Sequence, residues 1–370
     1  MIQTDILVVG AGPAGLMAAI MAARSGCRVI LLERACYLGG QLVKQTHKFF
    51  GSKAEHAGER GIDIARLLVN DMEQTKGVTT WKNATVLGYY PDGVLTVKRE
   101  DQFIKVKPKK VIVATGASEK TLAFPNNDLP GIYGAGAVQT LMNVYGVVPG
   151  KRMLMVGAGN IGLIVAYQLL QSGVEVAGIV EAGPAVGGYC VHAAKVQRAG
   201  VPIYTSHTIQ RAFGGDSLEG VTICKLDEQW KKIPGTDQDL AVDGLCLAVG
   251  LTPLTELLWQ AGCQMVFVPE LGGYVPRRTP YLQTTHPDIW VAGDVSGVEE
   301  ASVAMVEGII AGLTAAGQLT HLSPQLNKAL LEADEQLKAL RSGPITAKIR
   351  AGIQKALVPF AHQTRLEEVV

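Results

Sequence analysis

The sequence contains no Cys-x-x-Cys. Its six cysteines (Cys27, Cys36, Cys190, Cys224, Cys246 and Cys263) are scattered over 370 residues. They leave no metal-ligand or redox-pair spacing and suit a reduced, cytoplasmic chain. An excess of either charge is also missing: 34 Lys+Arg against 33 Asp+Glu give a net charge of +1. Nucleic-acid binders carry a clear basic excess, so that class is set aside. Long apolar runs are absent from the N-terminal region. Mean hydropathy is high, +0.20, yet the longest run there covers residues 16–23 and stops at Arg24, far short of the ~20 residues a membrane span needs. Asp5, with no Lys or Arg, precedes it, unlike a secretory signal peptide. Charged residues make up only 18% and hydrophobic residues 48%, a balance that excludes disorder for most of the chain.

What the chain has in plenty is glycine, 43 of 370 residues, against a usual ~7%. Such an excess belongs to a fold with tight turns and close backbone approaches. The length predicts about two domains. Residues 5–9 (DILVV) read as a strand, residues 10–15 (GAGPAG) as a tight turn, the following Ala/Leu/Met-rich stretch as a helix to about Ser25, and residues 28–33 as a second strand. The plan repeats at residues 151–181: a strand to Val156, the turn GAGNIG at 157–162, a helix to about Gln171 and a strand ending at Glu181. This alternation predicts α/β architecture with parallel sheets. Further strands are predicted within residues 79–106 and at 110–116, 220–225, 243–250 and 289–294, then a helix from about Glu300 to Gly317 and a mostly helical stretch from Pro324 onward, broken at 342–344.

Each G-x-G-x-x-G carries a mechanism. Gly10 and Gly157 permit the tight turn, Gly12 and Gly159 let the backbone approach a pyrophosphate, and Gly15 and Gly162 let helix pack on strand. The helix N-terminus then meets the phosphates with free N–H groups. An acid ending the next strand takes the ribose hydroxyls. Glu33 lies 18 residues after Gly15 and Glu181 lies 19 after Gly162. The first turn is therefore expected to hold a nucleotide. The second is expected to hold NAD(H) or another adenine nucleotide, with a duplicated domain that kept the fold and lost the ligand as the alternative. NADH is favoured over NADPH there, because no Arg stands beside Glu181 for a 2′-phosphate.

The order of motifs is Gly10–Gly15 with Glu33, GGQL at 39–42, ATG at 114–116, the second turn with Glu181, Val249-Gly250, and AGD at 292–294 before a helix. Over about residues 4–318 it resembles the two-dinucleotide-domain flavoproteins of the pyridine nucleotide–disulfide oxidoreductase superfamily. The resemblance implies two Rossmann-like, three-layer domains, the second inserted in the first. The FAD domain covers 1–118 and 288–320, the NAD-like domain 119–287, and a helical tail 321–370. It implies FAD at the first site, held by Gly10, Gly12, Pro13, Ala14, Gly15, Glu33, Arg34, Gly40, Gln41, Thr46, Val86, Ala114, Thr115, Gly116, Gly293, Asp294, Ala301 and Ser302. At the second site it implies Gly157, Gly159, Asn160, Gly162, Glu181 and Gly250.

The segment 40–46 looks most like the thioredoxin reductase branch, but the thiols of that branch are missing. Where glutathione reductase-type members place a Cys pair after the GG, this chain has Gln41 to His47. Where thioredoxin reductases place CxxC ahead of the second turn, it has residues 136–145 (GAVQTLMNVY). Disulfide reduction needs two thiols at bonding distance, so that activity is rejected. Residues 143–150, 295–301 and 341–344 look like the FAD-binding alpha subunits of opine oxidases, hydrogen cyanide synthase, dye-linked proline dehydrogenases and heterotetrameric sarcosine oxidases. That likeness implies a small-molecule amine or amino-acid substrate, partnership with a second flavoprotein subunit and, in many such enzymes, an iron–sulfur element. No Cys cluster here can supply one. A stand-alone NADH-dependent flavin reductase and a non-catalytic nucleotide-binding scaffold stay open beside it.

Lys44 and His47, with His56, fall in a polar segment leaving the GGQL motif. A cation there would stabilise anionic reduced flavin; the alternative is a solvated loop with scattered charges. Cys36 reads as a small buried hydrophobe. In the tail, Ile345, Ile349, Ile353, Ala356 and Leu357 form a stripe with Lys348, Arg350 and Lys355 off it. That helix either folds back on its own domain or docks on a partner protein.

Overall fold

The computed structural model describes residues 1–358; the last part of the expected tail, 359–370, lies outside the described residues. The helices, in chain order, are α1 (Pro13–Arg24), α2 (Gly61–Gln74), α3 (Ala135–Asn143), α4 (Asn160–Gln171), α5 (Cys190–Arg198), α6 (Glu256–Gln260), α7 (Ala301–Gly317), α8 (Pro324–Leu340) and α9 (Ala347–Ala356). The fold is α/β with two dinucleotide-type units. The first comprises residues 1–43, 48–118 and those from 252 onward, the second residues 44–47 and 119–251.

In the first unit, parallel strands run in the order 78–81, 29–32, 2–9 and 102–113, with 289–291 also beside 102–113; 95–99 and 84–89 continue the sheet antiparallel. Strands covered on both faces need no polar alternation, and residues 5–9 follow that rule. Ile6 and Val8 pack under α1 and α7, while Leu7 and Val9 face the opposite core of Trp81, Leu95, Val97, Leu258 and Cys263. Helix α7 lies close on α1 because two of its residues lack side chains. A Cβ on Gly308 would stand 2.2 Å from the Ala14 carbonyl oxygen, and one on Gly312 2.5 Å from that of Ala18.

The second unit repeats the plan, with parallel strands in the order 203–205, 175–181, 152–156, 244–247 and 132–134. Met153 and Met155 face the helices; Leu154 and Val156 face a three-stranded antiparallel sheet built from residues 207–213, 220–225 and 238–241.

Two expectations change. The motif order puts the end of the inserted unit at residue 287, but residues 252–287 belong to the first unit, because Leu258 and Cys263 are buried in the core under its sheet. Cys36 is exposed rather than buried; it lies in the irregular stretch that leaves the strand Val29–Leu32. The tail packs on its own unit. Ile349, Ile353, Ala356 and Leu357 share a core with Val268, Leu271 and Val275 of the hairpin 265–276, so most of the stripe is already covered. Ile345 remains exposed.

Candidate functional site

Register builds the first site. Val9 pairs with Leu32 on one side and Val113 on the other. Gly10, Glu33 and Ala114 therefore leave the sheet side by side at its carboxyl edge, where open α/β sheets bind ligands. Gly10 has φ +101°, and a Cβ there would meet the Ala114 carbonyl oxygen at 2.3 Å. Gly15 admits no side chain either, since its Cβ would stand 1.8 Å from the Gly10 oxygen. Gly12 is different: its backbone is extended and the nearest atom to a Cβ is the Gly40 Cα at 3.9 Å. Glycine at this position answers to something outside the polypeptide. Pro13 opens α1 without losing a needed donor, and among the described residues no side chain caps it. The first-turn N–H groups, with that of Ala14 among them, are left for an anion.

Glu33 accepts the Ala11 N–H at 2.9 Å through Oε2 and the Ala35 N–H at 2.8 Å through Oε1. Each oxygen keeps a lone pair for a diol. The Gly39 N–H donates to the Ala11 carbonyl at 2.8 Å, and Gly40, at φ +54°, crosses Gly12 so closely that a Cβ would stand 2.6 Å from its Cα. Thr115 spends its hydroxyl on the Leu254 carbonyl at 2.7 Å; Gly116 borders open space. Arg34 and Gln41 are exposed and Val86 is half-buried in the strand Ala84–Tyr89. Ala301 and Ser302 form the first turn of α7. A dinucleotide pyrophosphate fits this open cradle, with Glu33 at the ribose end.

Asp294 is half-buried. Burial pushes its carboxyl up to about 6, with the charges of Glu307 and Glu299 adding to the rise against the Glu299 N–H. The loop that carries it is fixed from below. Glu307, on α7, accepts the Gly293 N–H at 2.9 Å and the Ser296 hydroxyl at 2.8 Å through Oε2. Its Oε1 accepts from Arg341 at 2.6 Å and from Arg278 at 3.5 Å. Arg341 also forks onto both oxygens of Glu299. These four side chains are 11% exposed or less. Sequence reasoning missed the network. Its signal was one acid, Glu307, inside an otherwise apolar helix.

The second turn repeats the first. Val156 pairs with Val180 and Leu247. Gly157 has φ +100° and a Cβ would meet the Ala248 oxygen at 2.3 Å; at Gly162 it would meet the Gly157 oxygen at 2.0 Å; beside Gly159 nothing lies within 4 Å. Glu181 accepts the N–H of Ala158 at 2.7 Å and of Gly183 at 2.8 Å. Asn160 accepts the Tyr189 N–H at 2.8 Å. Gly250, at φ +109°, lends its carbonyl to Lys120.

Lys44, Thr46 and His47 belong to this second unit. Lys44 donates to the Gly136 carbonyl at 3.1 Å, while the Gly136 N–H donates to Glu119 at 2.5 Å. Burial lowers the Lys44 pKa and Glu119 opposes the shift. The Lys44 carbonyl accepts from Asn143 at 2.7 Å, and the Thr46 hydroxyl accepts from Gln168 at 2.8 Å. The segment is therefore not a solvated loop. His47 is pushed down to about 4 by burial and by its neighbours His192 and Lys195. It is uncharged at neutral pH, which corrects the expectation that it supplies a cation. All six cysteines are free thiols. Among the described residues no helix is long and apolar enough to cross a membrane.

The two turns and their acids define a two-dinucleotide oxidoreductase fold. Residues 4–308 match the pyridine nucleotide–disulphide oxidoreductase family, and the chain belongs to that family of FAD-dependent oxidoreductases, as a member without the redox-active thiol pair. It is 27% identical over 381 residues to the alpha chain of the sarcosine oxidase of Rhizobium meliloti, a match that covers 99% of this chain and 35% of that one. It is 26% identical over 361 residues to an opine oxidase subunit of the same organism, covering 90% and 75%. The chain thus spans about a third of the length of the sarcosine oxidase chain it matches. A thioredoxin reductase from T. acidophilum shares the fold, with a TM-score of 0.72 at 22% identity, covering 86% of this chain and 99% of that one.

Proposed function

We propose that the chain is the dinucleotide-binding subunit of a heteromeric amine or amino-acid dehydrogenase, acting on an opine-, proline- or sarcosine-like substrate together with a second flavoprotein subunit. The observation that carries this reading is the pair of matching turns: each has an open glycine, an uncapped helix and an acid fixed to the turn. The relatives, themselves subunits of oxidases, support the partner. FAD is assigned to the first turn, with Gly12, Glu33 and Asp294 as its principal contacts, and NAD(H) to the second, with Gly159 and Glu181. When bound, flavin supplies the two-electron chemistry. The protein's part is to hold the pyrophosphates at α1 and α4, to fix the ribose diols with Glu33 and Glu181, and to set the loop of Asp294. The six free thiols fit work in the cytoplasm.

Stopped-flow mixing of the purified chain with NADH tests the electron route. Bleaching of the flavin band is expected; no bleaching at saturating NADH removes NAD(H) as a redox partner and leaves a structural nucleotide. Co-purification of a second flavoprotein separates a complex from a stand-alone flavin reductase.

A further inference from the structure

We propose that Arg341, from the tail, is a positioning residue for the flavin site: it neutralises Glu299 and Glu307 and thereby fixes the loop that presents Asp294. The inference rests on the assignment of FAD to the first turn.

The loop 293–300 is short of internal support. Its own bonds are Ser296 N–H to the Gly293 carbonyl at 2.8 Å, Gly297 N–H to the Asp294 carbonyl at 3.2 Å, and a long contact of 3.5 Å from the Glu299 N–H to Asp294. The stronger ties run to Glu307, which takes the Gly293 N–H and the Ser296 hydroxyl with one oxygen. Glu307 can hold that position only if its charge is balanced, because it is 1% exposed. Arg278 does this weakly, through one contact at 3.5 Å, and its Nε has no hydrogen-bond partner among the described residues. Arg341 does it at 2.6 Å and at the same time forks onto Glu299 at the far end of the loop. One guanidinium therefore holds both ends of the Asp294 loop, a task that its planar set of donors suits and an ammonium does not.

Arg341 is itself locked by the tail. It ends α8, and its carbonyl accepts from Thr346 at 2.7 Å and from Arg350 of α9. The turn 341–344, the two tail helices and the Asp294 loop form one connected structure. Two cations and two anions balance within it. Removing one cation leaves an uncompensated buried anion beside the place assigned to an anionic cofactor.

The test is FAD affinity of the apoprotein, by flavin fluorescence titration, with circular dichroism and the apo melting temperature recorded in parallel. R341M is expected to weaken FAD about tenfold or more at a temperature where it is folded. The charge-balanced double variant R341M/E299Q is expected to return to within about threefold of the wild type. A merely structural role would lower the melting temperature of R341M and leave its Kd for FAD unchanged, and that result overturns the proposal. So does a double variant that binds FAD no better than R341M. Should R341M fail to fold, S296A decides, since it cuts one of the two ties between Glu307 and the loop: about threefold weaker FAD binding supports the proposal, and a wild-type Kd overturns it. A wild-type chain that takes up no FAD removes the reading of the first site and this inference with it. A wild-type chain that binds FAD, beside an R341M variant of equal Kd, removes the inference alone.

Discussion

Glu181 accepts the backbone N–H of Ala158 at 2.7 Å, so the acid that would bind a ribose is also a brace for the glycine turn that would bind the phosphates. Its other oxygen holds Gly183 at 2.8 Å. Glu33 does the same for Ala11 and Ala35. The diol acceptor in each unit is thus set in place before any ligand arrives, which lowers the ordering cost of binding.

The glycines of the first turn separate binding from folding. Gly12→Ala meets nothing closer than 3.9 Å and keeps an ordinary backbone, so the apoprotein is expected to fold with an unchanged melting temperature. The new methyl occupies the space assigned to the pyrophosphate, and FAD should be lost. Gly15→Ala is the reverse control. Its methyl would stand 1.8 Å from the Gly10 oxygen, and overpacking of this kind costs about 1–3 kcal/mol or more. Absorbance at the flavin band and thermal unfolding of both purified variants check the contrast. A yellow G12A protein with wild-type FAD content would contradict the assignment.

Nucleotide choice at the second site should follow Glu181. Its carboxylate suits a ribose diol and repels a 2′-phosphate, so NADH is expected to be the better substrate. In E181Q one acceptor oxygen becomes an NH2 group that cannot accept from a backbone N–H. Losing a charge-assisted bond costs about 1.5–3 kcal/mol, which corresponds to a rise in KM for NADH of about ten- to hundredfold, with the preference over NADPH reduced. Steady-state KM values for both nucleotides, on wild type and variant, check this. Equal rates with NADPH in the wild type would count against it.

The pH dependence of the apoprotein should carry the mark of Asp294. Its folded pKa, about 6, lies above the ordinary 3.8. Between those values the folded state binds more protons than the unfolded one, so this group's contribution to stability falls as pH rises through the window. Asp294→Asn removes the ionisation. The apo variant is expected to melt above the wild type at pH 7.5, with the gap closing toward pH 4, while its FAD affinity falls. Thermal scans of cofactor-free protein across that range decide. A gap that widens at low pH would mean the carboxylate is stabilised in the fold rather than penalised.

Both turns were legible in the sequence because glycine roles are local: six glycines, two acids at fixed distance and apolar strands report the same geometry within about thirty residues. What lay beyond that range was not legible. Residues 252–287 have no turn of this kind to mark their unit, and only the burial of Leu258 and Cys263 under the first sheet assigns them. Lys44 and His47 stand near GGQL in the chain, yet their surroundings come from Glu119, Gly136 and Lys195, far along it. The pairing of Arg341 with Glu307 joins the end of one helix to the middle of another, and no periodicity encodes that.

The tail gives the last prediction. Its apolar stripe was open to two outcomes, a partner protein or its own unit, and Ile349, Ile353 and Ala356 lie on Val268, Leu271 and Val275. Gly352 shows how close the approach is: a Cβ there would stand 2.9 Å from the Glu270 Cβ and 3.0 Å from the Leu271 Cγ. Lys355 adds an ion pair to Glu270 at 2.5 Å, half-exposed and worth little by itself. Ending the chain after Arg341 would uncover this small core and remove Thr346 and Arg350 from the Arg341 carbonyl. The truncated chain is expected to melt lower and to lose solubility and FAD in isolation. Ile353→Asp, which buries a charge in the same core, should act in the same direction by about 3 kcal/mol or more. If the truncated chain instead keeps its melting temperature and FAD content and only fails to assemble, the stripe serves a partner after all, and its packing against the hairpin is not what holds the first unit together.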